Sequence, residues 1–166
     1  TIHPFSDGNG RIGRALIEHV FAQHSALPFS LSRQIEREKK AYYAALQAGR
    51  RAGAGHIDAT EFVLWFLQCL IRAAALARDE IGFLLRRSHY LTRWRDMLDR
   101  RQIKVLETLF AQGAARVAQG ITAQTYAKIA HVSPATATRD LGAMEAAGAL
   151  QRSAEGGRST RYYLAF

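Results

Sequence analysis

The sequence predicts a mainly α-helical protein that ends in a small β-hairpin. Apolar residues recur at helical spacing through most of the chain, as is typical of amphipathic helices. Only two short segments, 149–152 and 161–164, have the composition of strands, and they flank a loop that contains glycines. Because the pattern changes character near Leu98, we predict two domains, 1–98 and 99–166.

The first domain is expected to contain three main helical segments. The first begins directly after the Gly-Asn-Gly turn at residues 8–10, and Ser32 is expected to cap the second. Asp58 followed by Glu61 has the form of a capping box that opens the third and most apolar segment. The uninterrupted apolar run of that segment is shorter than the roughly 20 residues that a membrane span needs. We therefore predict a buried core helix, with an inert Cys69 inside it and no membrane association.

The second domain is expected to consist of three helices and the hairpin. One helix covers about 103–110, and Thr122 caps the next. After a tight turn at 131–132, Ser133 caps a third helix that stops at Gly148. The residues of this helix expected to face the core are Ala137, Leu141 and Met144.

Charge and composition narrow the class of partner. A formal net charge of +9 and a pI near 10.3 favour an anionic partner, either nucleotide or nucleic acid. Lys and Arg outnumber Asp and Glu on both sides of Leu98, by 14 to 9 and by 9 to 5, so charge does not choose between the two. A single cysteine excludes an intramolecular disulfide and a Cys-His zinc cluster. Since no secretion leader is recognisable, we expect a cytoplasmic protein.

The densest chemical signal is segment 3–14, which reads His-Pro-Phe-Ser-Asp-Gly-Asn-Gly-Arg-Ile-Gly-Arg. Gly8 and Gly10 allow the backbone to approach a phosphate closely. The helix that follows directs its unpaired N–H groups and the positive end of its dipole at the same place. These features predict an anion cradle.

Four side chains around this cradle have chemistry suited to a nucleotide. Arg11 and Arg14 lie three residues apart, so their planar guanidinium groups can reach a polyphosphate together. Asp7 can hold a Mg²⁺ that bridges two phosphates, and His3 is free to accept a proton from an incoming hydroxyl. Simpler roles stay open: Asp7 as a turn cap, and Arg14 as the partner of Glu18.

Segment 3–14 resembles the signature of the Fic family (filamentation induced by cyclic AMP), His-Pro-Phe-x-Asp/Glu-Gly-Asn-Gly-Arg-x-x-Arg, at every defined position. The resemblance implies an all-helical domain that uses Mg²⁺ and transfers AMP from ATP to a Ser, Thr or Tyr hydroxyl of a target protein. The roles implied by motif position are His3 as general base, Asp7 as magnesium ligand, Gly8, Asn9, Gly10, Arg11 and Arg14 as nucleotide-binding residues, and Phe5 as an anchor in the core.

The resemblance also implies that this chain is the C-terminal part of a longer protein. In the family, helices and a target-aligning flap precede the motif, and here they would lie upstream of Thr1. We therefore expect a partial Fic helical domain that is inert or nearly so in isolation. The family's inhibitory pattern, Ser/Thr-x-x-x-Glu-Gly/Asn, does not occur in residues 1–166, and its position upstream of Thr1 stays open.

Residues 99–166 resemble the winged helix-turn-helix modules of bacterial regulators, in segments 133–141 and 157–162 with Gly148 between them. The resemblance implies that the third helix enters the major groove of DNA. The residues expected to contact DNA are Ser133, Thr136 and Arg139 on that helix, and Arg158 and Arg161 on the wing. Protein docking or dimerisation through this module is the alternative.

Two functions from different classes remain open. The first is a protein adenylyltransferase. The second is a DNA-binding transcriptional regulator whose Fic portion senses nucleotide or no longer reacts. Transfer from a different nucleotide, or removal of AMP, is a third option, and a homodimer is compatible with each.

Overall fold

The computed structural model describes residues 4–24, 29–48, 58–154 and 160–166. These residues are mainly α-helical with one small antiparallel sheet, as predicted. The elements are α1 (Asn9–His24), α2 (Leu31–Arg37), α3 (Lys39–Ala48), α4 (Thr60–Trp94), α5 (Arg100–Ala111), α6 (Ala114–Ala118), α7 (Ala123–Ala130), α8 (Pro134–Ala146), β1 (Leu150–Arg152) and β2 (Tyr162–Leu164).

The chain divides into two compact units, residues 1–81 and 82–166. The long helix α4 contributes its first part to the N-terminal unit and the part from Gly82 onward to the C-terminal unit. The domain boundary near Leu98 stays a prediction.

The N-terminal unit has a small core in which Leu31, Ile35 and Cys69 are buried. Ile17, Tyr42, Trp65, Phe66 and Leu70 pack against them. The carboxylate of Glu18 on α1 accepts a hydrogen bond from the backbone N–H of Ser32 at 2.9 Å. Glu18 therefore ties α1 to the first turn of α2, a use of this side chain other than the pairing with Arg14 that the sequence leaves open.

Local capping in this unit differs from the prediction in three places. Ser30, not Ser32, caps α2, and its hydroxyl accepts from the backbone of Arg33 at 3.3 Å. The helix predicted to continue from there breaks at Glu38 and becomes α2 and α3. Asp58 accepts from the N–H of Thr60 at 2.9 Å, two residues on, which is the spacing of an Asx turn rather than of a capping box.

The expectation that α4 is a buried core helix is wrong for most of its surface. In the N-terminal unit its buried face consists of small side chains, Cys69, Ala73 and Ala77. Val63, Leu64, Leu67, Ile71 and Leu76 are exposed. The most apolar 18-residue window has a mean hydropathy of 1.4 and is 11% buried, so α4 could cross a membrane by length and composition alone. The prediction from sequence counts only the uninterrupted apolar residues, and that run is shorter than the apolar helix that the structure contains.

The C-terminal unit contains the larger core and follows the prediction closely. Thr122 and Ser133 cap α7 and α8 through their hydroxyls, and His131 makes the predicted tight turn with a left-handed backbone. The strands pair antiparallel from Leu150–Leu164 to Arg152–Tyr162. Ala137, Leu141 and Met144 are buried, as expected. The short helix α6 and the capping box of Asp99 with Gln102 at the start of α5 were not predicted.

The last turns of α4 belong to this core. Tyr90, Trp94 and Leu98 are buried with residues from α5, α8 and the hairpin. The hydroxyl of Tyr90 donates to the backbone carbonyl of Ala149, and burial raises the pKa of this phenol. The end of α4 is thereby joined to the start of the hairpin.

A buried carboxylate connects three helices of the C-terminal unit. Asp140 of α8 is 6% exposed and accepts from Arg101 of α5 through Nε at 2.9 Å and Nη2 at 3.2 Å. The hydroxyl of Tyr126 on α7 donates to the same carboxylate at 2.9 Å. Hydrogen bonding to Asp140 raises the pKa of Arg101, while burial and then Asp140 raise that of Tyr126. The three helices are fixed relative to one another at this point.

Gly120 lies in the turn after α6, at a point where the hairpin comes close to the backbone. Its φ is +68°, and a Cβ there would lie 2.8 Å from the carbonyl oxygen of Tyr162. We expect Gly120→Ala to lower the free energy of unfolding of this unit by about 2 kcal/mol or more, through strain and clash together. Urea denaturation in a Trp65→Phe background, where Trp94 is the remaining tryptophan, measures it.

The matched control is Gly142→Ala in α8, where an added Cβ meets no atom of the described chain within 4 Å. This substitution should leave stability unchanged or raise it by up to about 1 kcal/mol, because alanine is the better helix former. Equal stability of the two alanine variants would contradict the packing described here.

Candidate functional site: the glycine turn and the groove beside it

The loop before α1 is closed by the side chain of Asn9. Its Oδ1 accepts from the backbone N–H of Phe5 at 3.1 Å, and its Nδ2 donates to the carbonyl of the same residue at 2.6 Å. Gly8 has a φ of +81°, and its carbonyl accepts the N–H of Ile12 at 2.9 Å, which opens the helix. Asn9 therefore holds the shape of the turn, a positioning role beside the nucleotide contact that the motif implies.

Asp7 and Arg11 form an exposed pair at the mouth of the turn. Asp7 accepts from the N–H of Gly8 at 2.6 Å through Oδ1, and from Nη2 of Arg11 at 3.2 Å through Oδ2. The two side chains are 90% and 73% exposed, respectively. A pair in this environment is worth at most about 1 kcal/mol, so an incoming polyphosphate can replace it at little cost. Asp7 acts as a turn cap here, and its metal role stays a prediction.

The two arginines of the motif lie over the two glycines. Nη2 of Arg11 is 3.6 Å from the position that a Cβ on Gly8 would occupy. Nη1 of Arg14 is 3.6 Å from the corresponding position on Gly10. Both guanidinium groups thus border the space that a side chain would fill at these glycines, so a phosphate that approaches this backbone also meets the arginines.

The turn forms one wall of a groove of about 790 Å³. The opposite wall comes from α2 and α3, whose lining residues are Ile35, Glu36, Lys39, Tyr42, Tyr43 and Leu46. Their sequence pattern predicts that the apolar members of this set face the core and that the charged ones face solvent. The helical spacing of these lining residues is visible in the sequence. The sequence does not show that α1 covers their apolar side chains only in part.

The positively charged side chains that line the groove differ in whether a carboxylate pairs with them. Nζ of Lys39 lies 2.8 Å from Oε1 of Glu36, and this hydrogen bond lowers the pKa of Glu36 and raises that of Lys39. Arg14 also lowers the pKa of Glu36, more weakly. Since Asp7 pairs with Arg11, Arg14 is the cation of the groove that lacks an ion pair among the described residues. It is the group best placed to meet an added anion.

The donor set fits a magnesium ion that is held mainly by its substrate. The described residues include no group of three or more carboxylate, imidazole or thiolate side chains. Mg²⁺ commonly binds through one or two carboxylates together with phosphate oxygens and water. Asp7 offers an exposed carboxylate that suits that mode, whereas Glu36, the other carboxylate that lines the groove, pairs with Lys39.

Two of the predicted site residues, His3 and Arg158, lie outside the described residues. Phe5 does not anchor the loop in the core, because its side chain is 54% exposed. The two hydrogen bonds of Asn9 to the backbone of Phe5 hold the loop without burial of the ring.

The residues expected to contact DNA differ in whether their side chains already make hydrogen bonds within the protein. Ser133 uses its hydroxyl to cap α8, accepting from the N–H of Thr136, and the two hydroxyl oxygens are 3.0 Å apart. Arg139 is exposed, and no described carboxylate forms an ion pair with it. Nη1 of Arg161 donates to the carbonyl of Gln119 at 2.9 Å, so this arginine also braces the hairpin.

Comparison with known protein families finds a match for the N-terminal segment. Residues 1–21 match the Fic/DOC family. No curated protein matches the chain. The family match covers the glycine turn and most of α1.

The turn geometry predicts the effect of an isosteric change at Asn9. Asn9→Asp keeps the acceptor but replaces the amide donor with a carboxylate oxygen that faces the carbonyl of Phe5. We expect the affinity for ATP, measured by calorimetry, to fall about tenfold as the loop loses its closure. Gln23→Glu, the same change of amide to carboxylate at an exposed position of α1 that does not line the groove, should leave the affinity unchanged. Equal loss in both variants would contradict a specific role for Asn9.

The groove wall formed by α2 and α3 predicts an acid-dependent change in stability. Arg72 of α4 donates to Glu38 through Nε at 2.8 Å and through Nη2, and this bonding lowers the pKa of Glu38 below its usual 4.5. The pair therefore stabilises the unit above pH 4.5 and loses this contribution as the pH falls through the lowered pKa. Since Arg72 is partly exposed, the contribution is about 1 kcal/mol or less.

Urea denaturation at a series of pH values checks this expectation. Glu38→Gln should be less stable than the wild type near neutral pH, and the difference should vanish well below pH 4.5. Glu61→Gln, at an exposed position of α4, is the control and should show no such convergence. A difference between wild type and Glu38→Gln that is independent of pH would refute the assignment.

Proposed function

Because residues 1–21 match the Fic/DOC family, we propose that this protein is a nucleotidyltransferase that moves AMP from ATP to a hydroxyl of a target protein. The observation that carries the proposal is the groove that joins the glycine turn to an aromatic wall. A glycine turn at a helix start suits phosphates. The rings of Tyr42 and Tyr43, with Leu46, suit a flat apolar base. A nucleoside polyphosphate has both parts.

The transfer would use the side chains of the motif in distinct ways. His3, by its motif position, would take the proton of the target hydroxyl as its oxygen bonds to the α-phosphorus and pyrophosphate leaves. Arg14 and Arg11 would hold the outer phosphates, with Arg14 already free of an ion pair among the described residues. Mg²⁺ held by Asp7, when bound, would neutralise charge that develops on the phosphates. The cytoplasm, where ATP is abundant, is the compartment we propose.

A second candidate function is DNA binding by the C-terminal unit, as a regulator with a nucleotide-sensing or inactive Fic portion. The observation that favours it is the exposed N-terminal half of α8, where Arg139 projects without an ion pair among the described residues. A helix-turn-helix with a hairpin is an arrangement that can present such a helix to the major groove. This candidate does not compete with nucleotide binding in the N-terminal unit.

The test uses the complete natural protein that contains this chain, incubated with labelled ATP, Mg²⁺ and cell lysate. We expect label on protein with the wild type, and a loss of about 100-fold or more with His3→Ala or Arg14→Ala. Arg33→Ala, on an exposed side chain of α2, is the control and should label like the wild type. Absence of label with the wild type, together with DNA binding, would favour the regulator instead.

A further inference from the structure

A second groove, of about 560 Å³, lies within the C-terminal unit. It is formed by the first turns of α5 and the end of α7, and its lining residues are Arg100, Arg101, Lys104, Val105, Ile129, Ala130 and His131. The described lining thus contains three permanent cations and a histidine but no carboxylate. The sequence pattern by itself does not mark any of these residues as a site.

Two of the three cations are available to a ligand. Arg101 is engaged by Asp140 and, at 3.5 Å, by Asp99. Arg100 and Lys104 are exposed, and neither forms an ion pair with a described carboxylate. Because Arg101 and Asp140 join α5 to α8, these two cations stand on a helix that is fixed to α8.

The opposite edge of the groove is the turn between α7 and α8. His131 occupies this turn with a φ of +54°, the only non-glycine residue of the described chain with a positive φ. Glycine adopts this conformation without strain, so histidine is retained at a cost in conformational energy. Its side chain is exposed and borders the groove, two positions before the cap of α8 at Ser133.

We propose that Arg100, Lys104 and His131 form a phosphate-binding groove that holds the backbone of duplex DNA beside α8. The proposal rests on the second candidate function, DNA binding by the C-terminal unit, and it names the contacts that would supply the affinity. The exposed face of α8 offers mainly hydroxyls and one arginine, Arg139, which can select bases but neutralises little charge. Affinity for DNA comes largely from phosphate neutralisation, and this groove supplies two further permanent charges.

The experiment measures binding of the whole chain to a fluorescein-labelled duplex of mixed sequence, about two helical turns long, by anisotropy over a series of salt concentrations. The variant is Arg100→Ala with Lys104→Ala. Removal of two phosphate contacts should weaken binding and reduce the slope of log K against log salt by about 1.8. His131→Gly, which accepts the left-handed backbone, should weaken binding about two- to threefold.

The matched control is Arg86→Ala with Arg95→Ala, which removes the same charge from exposed positions of the same unit. The control should keep the wild-type slope. If the wild type binds DNA and the double variant at Arg100 and Lys104 has the same slope of log K against log salt, the groove does not bind phosphate. DNA binding by the C-terminal unit would then still stand. An equal fall in slope for both double variants would also overturn the groove, because net charge would then suffice. A wild type without salt-dependent binding would overturn the groove and the second candidate function together.

Discussion

The hydrogen-bonded carboxylate of Asp140 is the constraint on which the C-terminal unit depends. It accepts from Arg101 and Tyr126, and its backbone carbonyl receives Nε2 of Gln102 at 3.4 Å. A buried carboxylate is costly unless its oxygens are satisfied, and here two donor groups from different helices satisfy them. In the observed arrangement of α5, α7 and α8 the buried charge is satisfied. That arrangement sets both the outward face of α8 and the spacing of the basic groove beside it.

The N-terminal unit uses polar groups in the opposite way. Around the glycine turn the ionic contacts are exposed and individually weak, and the loop is shaped by backbone hydrogen bonds to Asn9. Such a site keeps its geometry while its charged groups remain exchangeable. The apolar wall across the groove is attached separately, through Glu38 and Arg72 to α4. Shape and charge are thus supplied by different residues.

Prediction from sequence succeeds where the determinants are local. The caps at Thr122 and Ser133 and the tight turn at His131 depend on residues next to them, and the structure confirms them. The predicted cap of α2 is misplaced because Ser30 and Ser32 are both good caps. The break at Glu38 has no local signal, because no glycine or proline lies near it, and the side-chain partner of Glu38 is Arg72, 34 positions away.

The same distinction between local and long-range determinants applies to the candidate site. The motif at residues 7–14 is contiguous, so its composition alone reveals the turn and the arginines. The second wall, with Tyr42 and Tyr43, and the basic groove at Arg100 and Lys104 are assembled from separate helices. Their helical spacing is visible in the sequence, but an amphipathic stripe that faces a groove has the same pattern as one that faces a core.

The bond from Tyr90 to the carbonyl of Ala149 has a consequence for how the chain folds during synthesis. Protein emerges from the ribosome N-terminus first. The last turns of α4 must therefore wait, with Trp94 and their other apolar side chains unburied, until the segment around Ala149 and its hydrogen-bond partner Ala165 has been made. Over that interval α5 to α8 emerge without a closed core. Vectorial synthesis thus leaves this unit open to chaperones and proteases until β2 is released.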